Sequence, residues 1–549
     1  MGKRLLMLFM AIYMAVLPGC VAKTISVEEQ QPLLEQSNKN KSEQAEETVP
    51  KKGGTLTIPL VQPDVFNPLM TKSKDMVNFL GLIFEGVMRY DQNQKPQPCL
   101  AESYEVSEDG TIWTFHLRKG VKWHDGTPFT SQDVKFTFDI LRSGTLNSFY
   151  QNGIYANTYI QDLVPKDDYT ICLNLNFPIS NALDIMTFPV IPKAVYESVL
   201  PGAGIENIVP IGTGKYKMES TISIEDGEIR LVRNNDWWGK SPFIDTILVR
   251  IYEDNDKARA AFQTGSIDLV DTEVVFTNIY EQEPDVRLYR YLTSKYDFLA
   301  FNLRSPLFSD AKVRKALAYA IDRKEIMSMV FLNNGQAVDV PINPSSWLYD
   351  SSYRIYDYDP EKAVFMLKEA GWSDSDGDGI LDKDIGGEKV NFKFTIKTNE
   401  DNDERRETAL LIKRQLGEIG IQVDVEPVPW QEIQGDHIPK GSFDAILMGY
   451  YLSVFPDLEF ILHSSGEQNF IKYTHPELDG LIFQSKTIYN EEELKDAYRQ
   501  MQKLISIEMP IMSLYFRTAC LVTKDKIGGI GIPRELDIYG GIEEWYIKR

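Results

Sequence analysis

The sequence predicts a mixed α/β protein made of two lobes, each built from separated stretches of chain. Three observations carry this. A length of 549 residues corresponds to about two to four structural domains. Helix-like and strand-like patterns alternate through the middle of the chain. Strand patterns of one type stand at both ends, with different material between them. The chain therefore leaves its first domain, returns, builds another and returns again. Several crossings between two lobes suit a hinge.

The first element is KRLLMLFMAIYMAVLPGC. Lys3 and Arg4 form a basic head, and Leu5 to Leu17 is almost wholly apolar. A spanning helix needs roughly 20 apolar residues, so this run is too short to cross a bilayer. A basic head, a short apolar core and small residues at its end read as an export signal over 1–19. Leu17-Pro18-Gly19-Cys20 resembles the lipobox of bacterial lipoproteins. That resemblance implies cleavage before Cys20 and lipidation of its thiol and new amino group. Two or three acyl chains, at about 0.8 kcal/mol per buried CH₂, hold a protein firmly to a membrane. Residues 20–52 are rich in Glu, Gln, Ser, Lys and Asn and poor in aromatics. Such a stretch cannot bury enough apolar surface to offset its ordering entropy, and it reads as a flexible tether. No other segment is long and apolar enough to span. The body is expected on the outer face of the cytoplasmic membrane, extracellular or periplasmic.

GGTLTIPL is the first strand. In DMVNFLGLIFEGVMRYD, Met76, Leu80, Ile83, Phe84 and Val87 fall on one helical face. In SEDGTIWTFHLRKGVKWHDGTPF, Asp109-Gly110 and Asp125-Gly126 are turn dipeptides. Between them Trp113, Phe115 and Leu117 alternate with polar residues, as on a half-buried strand. From 215 to 300, EIRLVRN, DTILVRIY and SIDLVD are strands among shorter helices. From 310 to 515, helices alternate with KVNFKFTIKT, IQVDVEPV and FDAILMGYY. Cys99, Cys172 and Cys520 lie far apart and read as small buried core residues.

Composition bounds the chemistry. Hydrophobic residues are 43% and charged residues 25%, ordinary for a folded chain. Net charge is −22, and cleavage that removes Lys3 and Arg4 makes it −24. A chain this acidic is not built to seek nucleic acid through counterion release. The charge suits solubility.

FNLRSPLFSDAKVRKALAYAIDRKEI is two helices. Ser309 is placed to cap the first, whose buried face is Val313, Ala316, Leu317, Ala320 and Ile321. Asp322 caps the second, with Glu325 in a capping-box position. Nothing in it is catalytic. This run resembles the family 5 extracellular solute-binding proteins, the oligopeptide, dipeptide and nickel receptors of ABC importers. CLAESYEVSEDGTIWTFHLRKGVKWHDGTPFTSQDVKFTFDIL, IGTGKYKM, KYTHPELDGLI and MPIMSLYFRTACLV match other segments of the family in order, so the resemblance covers about 55–549.

The resemblance implies an α/β class II periplasmic-binding-protein fold, two lobes with a hinge plus an extra domain. Lobe I is then 53–90, 210–297 and 516–549. The extra domain is 91–209, and lobe II is 298–515. A ligand lies between the lobes. In peptide-binding members a strand of lobe II pairs with the ligand main chain. Here that strand is FDAILMGYY, with Gly449, Tyr450 and Tyr451 at the matching positions. Several members place an aspartate four residues after that glycine, against the ligand's α-amino group. Here it is Ser453, so either Asp457 or Glu459 substitutes or the ligand is held differently. A buried ammonium without a counter-charge costs several kcal/mol. Trp430, Tyr515, Phe149 with Tyr150, and Asn67 match other cleft positions. Asp457 is equally placed to cap the helix after it.

SDSDGDGILDKD sets Asp374, Asp376, Asp378 and Asp382 at positions 1, 3, 5 and 9 of a calcium loop, with Gly379 at 6. Ile385 stands where the loop's bidentate acid belongs, so the loop reads first as an acidic surface turn and second as a weak structural calcium site. No other cofactor is expected. His116, His124, His437, His463 and His475 show no metal-ligand spacing. There is no G-x-S-x-G elbow and no phosphate-binding P-loop. The expectation is a lipid-anchored, monomeric binding protein, not an enzyme. It takes a peptide to an ABC permease whose ATPase is another polypeptide. A metal–chelate, a short glycan or another small solute is the alternative cargo, and a peptide-pheromone receptor the alternative role.

Overall fold

The computed structural model describes residues 50–146, 148, 150, 154, 158–197, 209–219 and 227–548. The expected signal peptide 1–19, Cys20, most of the tether and Phe149 lie outside them.

Three larger sheets organise the described residues. The first runs Thr55–Val61, Thr246–Tyr252, Glu228–Arg233, Tyr216–Met218, with its first pair parallel and the others antiparallel. The second is an antiparallel meander-like sheet of Ala101–Val106, Ile112–Leu117, Thr170–Leu175 and Ile160–Asp167, within the stretch 91–209 that the resemblance gives as an extra domain. Its strand Ile112–Leu117 buries Trp113, Phe115 and Leu117 and turns the residues between them outward, as the period-2 pattern dictates. The third has seven strands. Its path is Leu269–Glu273, Met512–Lys524, Val286–Phe301, Ala445–Tyr451, Lys393–Asn399, Gln422–Val428, with Gly335–Ala337 added beside Met512–Lys524.

Two strands of that third sheet make the hinge. Val286–Phe301 and Met512–Lys524 pair antiparallel from Val286↔Lys524 to Leu299↔Met512. At one end Tyr291, Ala519 and Leu521 belong to an apolar core that also holds Leu56, Ile247, Phe115, Phe138 and Trp545. At the other end Leu299, Met512 and Leu514 belong to a second core with Phe308, Leu317, Phe394 and Ile412. Between the two ends the register shifts, at Leu292/Tyr296 and again at Asp297/Phe298. Irregularities of this kind unpair residues and bend a strand, here midway between two bodies. The first core runs without a break from the first sheet into the extra domain, so those two share one apolar interior.

Three local expectations change. The helix at Met76 stops at Leu80, capped by Gly81, rather than running to Val87. Ile83, Phe84 and Val87 are still buried, but in a turn and an extended segment packed against Gly212 and Gly214. Gly212 is required: a Cβ there would stand 1.8 Å from the Ile83 carbonyl oxygen. The first helix of the FNLRSPLF segment is capped by Asp310, whose carboxylate accepts from Lys312 N–H, and not by Ser309. Asp322 caps the next helix as expected, but Glu325 turns away from it to Arg414 and Gln415.

Candidate ligand-binding cleft

A cavity of about 1720 Å³ lies between the lobes. This exceeds the roughly 300–1,000 Å³ usual for small-molecule sites. Lobe I contributes Lys74, Asp75, Arg89, Asp271, Glu273 and Glu535, the extra-domain side Gln97 and Tyr150, and lobe II Phe331, Asn343, Tyr451 and Ser453. The hinge strands contribute Leu292 to Lys295 and Arg517 to Ala519.

Charge in the cavity is mostly paired. Lys74 Nζ lies 2.7 Å from Asp271 Oδ2, and Tyr291 donates to Asp271 Oδ1 at 2.7 Å. Burial opposes charge on Lys74, but Asp271 outweighs it and holds its pKa above the ordinary value. Burial, with Asp271 nearby, raises the pKa of Asp75. Lys295 donates to Glu273 at 2.9 Å, which keeps that carboxyl below its usual range. Glu535 Oε2 accepts from Ser294 N–H at 2.7 Å, and Ser294 C=O accepts from Leu452 N–H at 3.0 Å. One hinge residue thus ties the C-terminal segment of lobe I to the loop carrying Ser453.

At the hinge, fully buried Asp297 takes two arginines. Arg405 Nε donates to Oδ1 at 2.5 Å and Arg517 Nε to Oδ2 at 2.9 Å. Sequence reasoning missed this network. Its signal was one Asp in YDFLAF and one Arg in SLYFRTACLV, each a lone charge in an apolar strand.

The expected site residues divide. Tyr451, Ser453 and Tyr150 line the cavity. Tyr451 is 74% exposed, with Lys295 Nζ 6.0 Å from its ring centre. Ser453 donates to Phe455 C=O at 2.5 Å. Tyr450 is on the opposite face, stacked on Phe298 at 5.4 Å and edge-on to Phe460 at 5.3 Å. Successive strand residues point to opposite faces, so the two tyrosines cannot share a wall. Gly449 does not line the cavity. It makes room for Arg405, whose Nη2 would lie 2.5 Å from a Cβ there. Tyr515 is fully buried in the lobe II core, its ring 4.7 Å from Phe331. Asn67 is buried in a turn, its Oδ1 accepting from Leu69 N–H at 2.9 Å. Trp430 opens the short helix Trp430–Glu432 away from the cavity. Asp457 accepts from Glu459 N–H at 2.9 Å, and Glu459 pairs with Lys486; neither lines the cavity.

In the acidic loop, oxygens of Asp374, Asp376 and Asp382 gather within 4.8 Å, without Asp378. The loop carries its own cation. Lys389 pairs with Asp376 and lies 3.3 Å from Asp382, while Asp374 accepts from Gly377 and Gly379 N–H. Asp378 accepts from Ile380 N–H.

The extra domain also grips lobe II directly. Trp347 N–H donates to Asn93 C=O at 2.8 Å, and Ser180 N–H to Lys486 C=O at 2.9 Å. Tyr489 donates to Glu108 C=O at 2.5 Å.

Two lobes, a paired hinge and a cavity between them are the architecture of a binding protein. Residues 95–471 match the family described as bacterial extracellular solute-binding proteins, family 5 Middle. The chain belongs to this family. Family 5 proteins bind substrates for ABC importers, and the two-lobe fold seen here is theirs. The chain is 31% identical over 519 residues to the oligopeptide-binding protein AppA of Bacillus subtilis (strain 168), covering 91% of this chain and 93% of that one. The structure of AppA from Bacillus subtilis in complex with a nonapeptide superposes with a TM-score of 0.61 at 28% identity, covering 91% of this chain and 100% of that one. NikZ from Campylobacter jejuni in complex with Ni(L-His) gives a TM-score of 0.65 at 25% identity, over 90% of this chain and 99% of that one. Among the described residues, no helix is long and apolar enough to cross a membrane.

Proposed function

We propose that this family 5 protein captures peptides outside the cell and delivers them to the permease of an ABC importer, held beside it by lipid on Cys20. One observation carries the peptide cargo. The strand Ala445–Tyr451 pairs with Lys393–Asn399 only as far as Leu447↔Thr398. Beyond it, Met448 to Tyr451 keep Val286–Phe301 on one side and, among the described residues, have no strand on the other, and the last of them lines the cavity. A strand edge left open beside a large cavity accepts another extended chain through main-chain hydrogen bonds, which are indifferent to side-chain identity. Tyr451, Ser453 and Tyr150 are the wall residues proposed to touch it. Likeness to AppA supports the same cargo.

The test is direct. The full chain is purified gently in detergent and denatured, and what it releases is read by mass spectrometry. A spread of peptides supports the proposal. A single non-peptide solute or a metal complex overturns it.

A further inference from the structure

Arg517 and Thr518 are consecutive on the returning hinge strand, and both line the cavity. The Arg517 guanidinium is already held in place. Its Nε is bonded to Asp297, whose other oxygen belongs to Arg405. Its Nη1 is 3.8 Å from Glu404 Oε2, beyond hydrogen-bond reach. Its Nη2 is buried and finds no acceptor among the described residues, and the same holds for the Thr518 hydroxyl. Buried donors without an acceptor carry the full cost of lost hydration, and each calls for an explanation. Two in succession, in the wall of this cavity, point to a partner that comes from outside the chain. Their chemistry says which kind. A guanidinium N–H and a hydroxyl both have a proton to give, so the partner they call for is an acceptor oxygen. Asp297 lies between Gly449 on one neighbouring strand and Tyr515 on the other, and Arg517, two residues past Tyr515, reaches back to it.

We propose that Arg517 Nη2 binds an sp² oxygen of the ligand, either a main-chain carbonyl or a carboxylate, and that the Thr518 hydroxyl gives its proton to a separate acceptor of the same ligand. Arg517 is then a specificity-determining residue rather than only a member of the buried ion network. This rests on the peptide reading above. A guanidinium suits the task because its plane is fixed by one bond while its outer nitrogen donates through another.

The test uses the full chain, stripped of bound ligand, and two random peptide libraries, one with free carboxyl termini and one C-amidated. Bound peptide is measured for wild type, R517K and T518V, with thermal unfolding recorded alongside. R517K keeps a cation for Asp297, which also keeps Arg405, and T518V is nearly isosteric. The expected result is a loss of affinity between about tenfold and about a hundredfold in R517K, and a smaller loss in T518V. A loss with both libraries assigns the oxygen to a main-chain carbonyl, and a loss with free carboxyl termini alone to the terminal carboxylate. Unchanged binding in both variants overturns the proposal and leaves the peptide reading standing. Retention of neither library by wild type removes the peptide reading, and this proposal with it.

Discussion

Lys95, on the hairpin of the extra domain, and Glu491, on the long helix of lobe II, form an ion pair with Nζ and Oε2 2.5 Å apart. Neither lines the cavity. Lys95 and Lys495 also sit 5.5 and 5.7 Å from the Trp347 ring centre. The pair therefore holds the two bodies together without touching ligand. The Lys95 bond keeps the Glu491 carboxyl below its usual range, so the pair is intact at neutral pH and is lost as acid protonates Glu491.

From this, K95A or E491A speeds ligand release by about two- to fivefold, the size expected of a partly exposed ion pair. Stopped-flow fluorescence of release measures it. The swapped pair K95E with E491K restores the wild-type rate. Release unaffected in both single variants would show that the contact bears no load.

Replacing Asp297 is costly. D297A leaves two arginines facing each other without their shared carboxylate and lowers stability by about 3 kcal/mol, the low end for breaking a buried pair because both guanidiniums keep some solvent contact. Urea unfolding of D297A against wild type reads this. A loss below about 1 kcal/mol contradicts it.

Gly212 tolerates no side chain. G212A drives a methyl into the Ile83 carbonyl, and the overpacking costs about 1–3 kcal/mol or more, since backbone must move. A melting temperature within a degree of wild type would show that the turn at Ile83 has another way to pack.

His124 joins the extra domain to lobe I. Its Nδ1 accepts from Gly212 N–H at 3.3 Å, and its Nε2 lies 3.0 Å from Gly214 C=O. Burial pushes its pKa from 6.5 down to about 4, so the folded state holds it neutral. The unfolded chain binds the proton first. Stability from this residue is therefore whole above about pH 6.5 and declines as pH falls toward about 4. The difference in unfolding free energy between wild type and H124Q, followed across that range, should shrink with acid. A constant difference rules out the effect.

Much of the fold was legible because alternation and helical spacing report burial one residue at a time. The strands quoted from 228 onward are found, with KVNFKFTIKT divided at Phe392 between two sheets, and Val313, Ala316, Leu317 and Ala320 of the Ala311–Ala320 helix are buried as its spacing gives. Less of the cleft was legible. A tyrosine reads the same in sequence whether it faces a cavity or a core. Tyr450 and Tyr451 were separable by strand parity alone, but only once one of the two faces is known to be wet. Asn67 and Tyr515 match cleft positions by alignment, yet local turns and packing take them inside. Asp271, Glu535 and Arg517 come from three distant stretches, and only the crossing strands bring them to one wall.

Because the two hinge strands are hydrogen-bonded to each other, the joint is a strip of sheet rather than a pair of loose tethers. A strip bends readily about one line and resists shear along it. The lobes then behave like the boards of a book on a sewn spine, and a single angle describes how far shut the molecule is. On the reading proposed above, a partner able to sense that angle would learn whether a passenger is aboard without ever meeting its side chains.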